Sequence, residues 1–241
     1  MNSSPTRFVY FQDDCFAINK KWLRDFVDEY VRRINLPFHC HLRPNTIDEE
    51  QIKKLKHAGC YSVHIAAETA NDRLRNEILN RGMTREQIIQ ATKFLRKHGI
   101  RFMLQNIIGL PTGSLEDDLA TLEMNIEARP DYAWVSIFQP YPGTKLGEFC
   151  REQEYYTGDY SDLSSNFFEA SKLNYPEKYK NQLSHLQKLF AIFVEYPELH
   201  RLGLSQAMID IPNTVETKEY YHTAYKLFRK KANKRLYGFN L

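Results

Sequence analysis

The sequence predicts an α/β fold: a partial parallel (βα) barrel of about five strands with a C-terminal helical extension. Three observations lead there. Short runs rich in β-branched and aromatic residues alternate with longer runs of helical periodicity. Each strand is joined to the next through a helix rather than a tight hairpin, which means parallel pairing and right-handed crossovers. The alternation stops near Glu152, after which only helical patterns recur. Residues 1–152 therefore form the barrel part, and 153–241 pack on it as a helical extension.

The elements follow in order. Arg7–Phe11 reads as the first strand. Asn19 caps a helix over Lys20–Arg33, whose Trp22, Leu23, Phe26, Val27, Tyr30 and Val31 make one apolar face. Phe38–Leu42 is the second strand. Thr46, with Glu49 three residues on, has the spacing of a capping box for the next helix, which stops near Gly59. Tyr61–Ala67 is the third strand. Two helical segments follow, Asp72–Asn80 and Thr84–Lys97, the second opened by a Thr84/Gln87 box. Arg101–Ile108 is the fourth strand. Ser114 with Asp117 opens a helix that Pro130 ends, and Tyr132–Gln139 is the fifth strand. In the extension, Tyr179–Tyr196 and Thr217–Tyr237 read as helices. The basic residues of the last one read as a solvated face.

Composition removes several function classes. The 241 residues carry 33 Lys plus Arg against 30 Asp plus Glu, a net charge of +3. That near balance argues against a nucleic-acid partner. No apolar run approaches the ~18 residues of a membrane span, and the N-terminus has no basic segment leading into an apolar one. The expectation is a cytoplasmic protein without a membrane partner. Four cysteines, Cys15, Cys40, Cys60 and Cys150, lack the close spacing of a zinc knuckle, a redox pair or a cluster loop. They read as reduced thiols.

Polar residues gather where such a fold does its chemistry, at the C-terminal ends of the strands. The first strand leads into Gln12, Asp13 and Asp14. The second places His39, His41 and Arg43 on one face at even spacing, and the third places His64 and Glu68 on one face. The fourth runs through Gln105, Ile107 and Gly109, and the fifth leads into Gln139-Pro140-Tyr141. If these faces point inward, one mouth gathers Asp14, His41, Arg43, Glu68 and Gln105 and forms a ligand site. His39 and His64, lower down, read as core hydrogen-bonders. Gly109 joins a strand to a helix N-terminus, where backbone can approach a ligand.

The ordered set FQDDCFAINKKW (11–22), FHCHLRPNTID (38–48), CYSVHIAAETANDRLRNEILNRGMT (60–84), RFMLQNIIGLPTGSLED (101–117) and YAWVSIFQPYPGTKLGEFC (132–150) resembles the radical S-adenosylmethionine (radical SAM) enzymes, especially the class with an upstream cobalamin-binding domain. The resemblance spans about the first 150 residues. It implies a TIM-like partial (βα)₆ barrel, in which a CxxxCxxC loop after the first strand holds a [4Fe–4S] cluster. The cluster's open iron takes the amino and carboxylate groups of S-adenosylmethionine, and reductive cleavage yields a 5′-deoxyadenosyl radical. By this resemblance the five strands here correspond to the family's second to sixth. Gln12, Asp13 and Asp14 then stand where the methionine amino group is met. Glu68 meets the ribose or the methionine moiety, and Gln105, Ile107 and Gly109 support the adenine. Phe138 to Tyr141 add backbone and apolar contacts to it. Arg43 is the carboxylate partner, because a guanidinium grips a carboxylate at two points.

The chain departs from the family in three places. The small residues around Glu68 read Ala66-Ala67-Glu68-Thr69-Ala70-Asn71. The usual GLPGE reads Gly109-Leu110-Pro111-Thr112-Gly113, without its carboxylate. No CxxxCxxC occurs. The expectation is a truncated or split form, inactive alone, whose cluster segment and cobalamin domain lie on an upstream segment or chain. Its first strand is then an open edge. No metal ligand is assigned and no substrate can be named. Two alternatives stand beside this reading. One is a non-catalytic S-adenosylmethionine- or partner-binding half-barrel. The other is a metal-dependent hydrolase using His39 and His41, with His64, Glu68 or Asp14 completing the shell.

Overall fold

The computed structural model describes residues 6–163 and 168–238. Five strands, β1 (Val9–Tyr10), β2 (Phe38–Leu42), β3 (Cys60–Glu68), β4 (Arg101–Ile108) and β5 (Tyr132–Ile137), form one sheet in sequence order with every neighbouring pair parallel. The result is the expected half-barrel. The crossover helices are α1 (Lys20–Arg33), α2 (Glu49–His57), α3 (Arg85–Lys97) and α4 (Leu115–Ala128), followed by α5 (Lys145–Glu152) after β5. The extension holds α6 (Glu177–Glu195), two short helices α7 (Pro197–Arg201) and α8 (Leu204–Ile209), and α9 (Val215–Tyr237). No helix among the described residues is long and apolar enough to cross a membrane.

Alternation along each strand decides the layers. Phe38, Cys40 and Leu42 on β2, Val63, Ile65 and Ala67 on β3, and Phe102 and Leu104 on β4 are buried in the core beneath α1–α3. Ala133, Val135 and Ile137 on β5 pack with Leu183, Leu186 and Phe190 of α6 in a second core. The residues between them face the concave side. There α9 closes the lower part of the sheet, with Ala232, Leu236 and Tyr237 against Met103 and Tyr132. The upper part of the concave side remains open.

Side-chain caps set most helix starts. Asn19 accepts from the backbone N–H groups of Lys21 and Trp22, and Thr84/Gln87 and Ser114/Asp117 form full capping boxes. Thr46 does not cap α2. Pro44 opens a 3₁₀ turn over Pro44–Thr46, and the box forms two residues later with Asp48 and Gln51. The segment expected as helix over Asp72–Asn80 is a short helical turn that widens to π geometry at Leu74–Ile78. Buried Arg75 lies in this turn and bonds Asp72 and the carbonyl of Ala70. β1 is shorter than its apolar run, and β5 ends two residues before Gln139.

Candidate functional site

The tips of the strands enclose a cavity of about 570 Å³ lined by Asp14, His41, Arg43, Glu68, Arg81 and Gln105, among others. Period-two alternation delivers most of these side chains. His41 lies beside His64 in the β2–β3 register, and Ala66 lies beside Gln105 in the β3–β4 register. A register shift between Ala66 and Glu68 then alters the end of β3.

Glu68 has φ +65°, the left-handed region that a side-chain-bearing residue rarely holds. Its carboxylate meets the Arg81 guanidinium at 3.1 Å. Burial pushes the Glu68 carboxyl above the ordinary carboxylate range, and Arg81 opposes that shift. Arg43 donates through Nε to Asn45 Oδ1 at 3.0 Å and through Nη2 to the carbonyl of Arg81. It therefore ties the Arg81 loop to the end of β2, and the rest of its fork stays available to a ligand.

Not every sequence-predicted residue joins this group. Gln12 and Asp13 are exposed beside Asp14, outside the cavity lining. Ile107 and Phe138 pack with Leu74, Leu110, Cys150 and Tyr156 in a separate apolar cluster. Tyr141 is exposed. The Gly109 N–H donates to Asp118 Oδ1 at 3.0 Å, and a Cβ on Gly109 (φ +68°) would meet Leu183 Cδ1 at 2.8 Å. Its glycine thus answers to chain packing. Asp118 is wholly buried, accepts from the Tyr179 hydroxyl at 2.7 Å, and has its carboxyl pushed up to about 7 by burial.

Beneath the cavity sits a group of rings: His39, His41 and His64, with Tyr10 and Tyr237. Burial drives His39 down to about 2 and His64 down to about 3, so both are neutral at physiological pH. His39 donates or accepts through Nδ1 with Ser62 Oγ at 2.7 Å, and its buried Nε2 has no partner. Such an orphan costs about 1–3 kcal/mol.

Sequence reasoning missed Arg81, Tyr10, Tyr237 and Asp118. Arg81 lies in a loop without periodicity. Tyr237 bonds His64 across a separation of 173 residues.

The four cysteines do not converge. Cys15 borders the cavity, Cys40 and Cys60 neighbour each other on the outer side of the sheet, and Cys150 lies in the separate apolar cluster. These residues do not fit a cubane cluster, which needs thiolates around one centre.

Residues 5–124 match the model of the radical SAM superfamily. The chain belongs to the radical SAM superfamily. Superfamily membership implies S-adenosylmethionine and a [4Fe–4S] cluster. Among curated relatives, an uncharacterized methyltransferase of Pyrococcus horikoshii is 33% identical over 143 residues, covering 59% of this chain and 31% of that protein. The chain thus spans about a third of that relative's length. Two solved structures share the fold. The radical S-adenosylmethionine methyltransferase TsrM from Kitasatospora setae, with cobalamin and [4Fe–4S] cluster bound, aligns with TM-score 0.52 and 21% identity over 61% of this chain and 29% of its own. The cobalamin-dependent S-adenosylmethionine radical enzyme OxsB aligns with TM-score 0.57 and 14% identity over 94% of this chain and 39% of its own.

Proposed function

We propose that the cavity at the strand tips binds S-adenosylmethionine, and that the cluster thiolates come from outside these 241 residues. The observation that carries this reading is that Asp14, Arg43, Glu68 and Gln105, from four separate segments, border one cavity of about 570 Å³ at the C-terminal end of the half-barrel. The chemistry of the donor set suits the ligand. Asp14 and Glu68 accept from an ammonium, Arg43 donates to a carboxylate, and Gln105 offers both donor and acceptor to the nucleoside. Gln12 and Asp13 add an amide and a second carboxylate beside Asp14. Ile107, Gly109, Phe138 and Tyr141 keep the adenine-side roles that the resemblance implies. S-adenosylmethionine supplies a radical or a methyl group once bound and activated. This chain's residues bind it, orient it and exclude water from one side.

The names of the relatives support methyl transfer as the reaction of the whole protein, with cobalamin as a second cofactor as in TsrM and OxsB. The superfamily match over the half-barrel favours the S-adenosylmethionine reading over the hydrolase alternative.

Calorimetric titration of the 241-residue chain with S-adenosylmethionine tests the binding half. Binding that weakens about tenfold in Glu68→Gln and in Arg43→Leu is expected from the loss of one charged contact each. Affinity in both variants equal to that of the unsubstituted chain sinks the assignment. Anaerobic reconstitution with iron and sulfide tests the other half. The chain alone is expected to hold no stoichiometric cluster, and co-expression with a CxxxCxxC-bearing segment is expected to yield one. Iron-free complexes from that co-expression favour the non-catalytic half-barrel.

A further inference from the structure

We propose that His39, His41 and His64 form a binding site for one divalent first-row transition metal, zinc foremost, on the floor of the cavity. The site goes beyond the S-adenosylmethionine reading and stands without it.

The three rings come from adjacent parallel strands. His39 and His41 share the concave face of β2, and His64 of β3 lies beside His41 in register. Ring centroids are 4.3 Å apart for His39–His64, 4.9 Å for His41–His64 and 5.8 Å for His39–His41. One nitrogen from each ring lies within 4.8 Å of the other two. Tetrahedral zinc with Zn–N near 2.0–2.1 Å asks for nitrogens about 3.3 Å apart, so modest rotation of the rings closes the set.

The orphaned nitrogen points to the ligand. His39 is completely buried, Nδ1 is engaged by Ser62 Oγ, and Nε2 meets no partner. Buried polar atoms are normally satisfied, and a metal ion gives this one its missing partner. The surrounding hydroxyls have the arrangement that ligating imidazoles use, in which the second ring nitrogen donates outward. His39 donates Nδ1–H to Ser62 while Nε2 ligates. His64 donates Nε2–H to the Tyr237 hydroxyl at 2.7 Å while Nδ1 ligates. His41 Nε2 and His64 Nδ1 both reach Tyr10 Oη, at 2.9 and 3.4 Å. The phenol thus marks the side from which both nitrogens are approached.

The donor set selects the metal. Three neutral imidazoles suit zinc, cobalt, nickel or copper. The lack of carboxylate in the set disfavours magnesium and calcium, and the lack of thiolate disfavours iron–sulfur chemistry. His41 and His64 border the cavity while His39 sits behind them. The Tyr10 hydroxyl, which reaches both His41 Nε2 and His64 Nδ1, is the donor nearest the fourth coordination position.

The test is a titration of the chelator-treated 241-residue chain with zinc and, separately, cobalt(II). One equivalent is expected, with the visible ligand-field bands of a low-coordinate cobalt(II) centre and a metal-dependent rise in melting temperature. His39→Gln and His64→Gln should each weaken binding at least tenfold, whereas His98→Gln, on the outside of the barrel, should leave it unchanged. X-ray absorption on the unsubstituted zinc form keeps the proposal testable if a variant misfolds. Three imidazole ligands support it. Sulfur scatterers, sub-stoichiometric binding or full affinity in His39→Gln overturn it. S-adenosylmethionine affinity, measured on the same preparations, is a separate readout.

Discussion

The two ends of the half-barrel are built on opposite terms. At the lower end, charged groups are gripped by the chain. Arg235 reaches both oxygens of Glu195 at 2.9 and 3.1 Å and donates to the carbonyl of Asp131 at 2.5 Å, with only Nε left over. Arg101 bonds the carbonyl of Arg235 and the hydroxyl of Tyr61. At the upper end, Asp14, Arg43, Glu68 and Arg81 border an open cavity, and Glu68 combines left-handed backbone with a carboxyl raised by burial. Left-handed backbone at a side-chain-bearing residue costs about 1–3 kcal/mol and tends to persist where function needs it. The difference teaches where to look: one end secures α9 to the sheet, and the other sets charged side chains around an open cavity.

The sharpest probe of that contrast is Asp118. A carboxyl held at about 7 in the folded chain binds more protons folded than unfolded. Its contribution to stability is complete below the ordinary carboxylate range and is lost as pH rises toward about 7. The loss is ~1.4 kcal/mol per pH unit within that window, on the order of 4 kcal/mol in all. Asp118→Asn keeps an acceptor for the Gly109 N–H and removes the charge. Urea unfolding from pH 4 to pH 8 should show the variant overtaking the parent as pH rises, and parallel curves refute the argument. The lower end comes next. Arg235→Ala should cost about 3 kcal/mol, because Glu195 and the Asp131 carbonyl lose a charged donor. Affinity for S-adenosylmethionine should not change, and a drop in it would break the division between the two ends. Gly109→Ala follows at about 2 kcal/mol, from its left-handed φ and from overpacking against Leu183. Calorimetric melting checks both.

The contrast was half legible in the sequence. Asp14, Arg43, Glu68 and Gln105 could be placed together because period-two alternation and parallel connectivity are local rules, and together they put strand tips on one side. The capping boxes at Thr84 and Ser114 were legible for the same reason. The Thr46/Glu49 pattern misled because a stronger box, Asp48/Gln51, lies two residues later and Pro44 diverts the chain into a 3₁₀ turn first. The packing demand on Gly109 was not legible because Asp118 and Leu183, which set it, come from α4 and α6. Nor could alternation show that Tyr237 closes on His64, since that contact depends on how α9 seats across the concave face. The third histidine was visible as a residue, but its convergence with His39 and His41 depends on the β2–β3 register.

The smallest effect on stability belongs to the residue with the largest expected effect on ligand. Glu68 holds φ +65° and a carboxyl raised by burial, with one ion pair to Arg81 at 3.1 Å in return. Glycine adopts that φ without steric cost, although it gains freedom in the unfolded chain. It also removes a buried acid at the expense of the ion pair. These terms oppose one another, and Glu68→Gly should fall within about 1 kcal/mol of the parent by urea unfolding. The same variant should lose most of its affinity for S-adenosylmethionine by calorimetry. Little thermodynamic cost together with lost affinity, at a left-handed residue on a cavity rim, would mark Glu68 as placed for its ligand. If Glu68→Gly instead unfolds the chain and leaves affinity intact, the strain at the upper end belongs to the fold, and the two ends differ in degree alone.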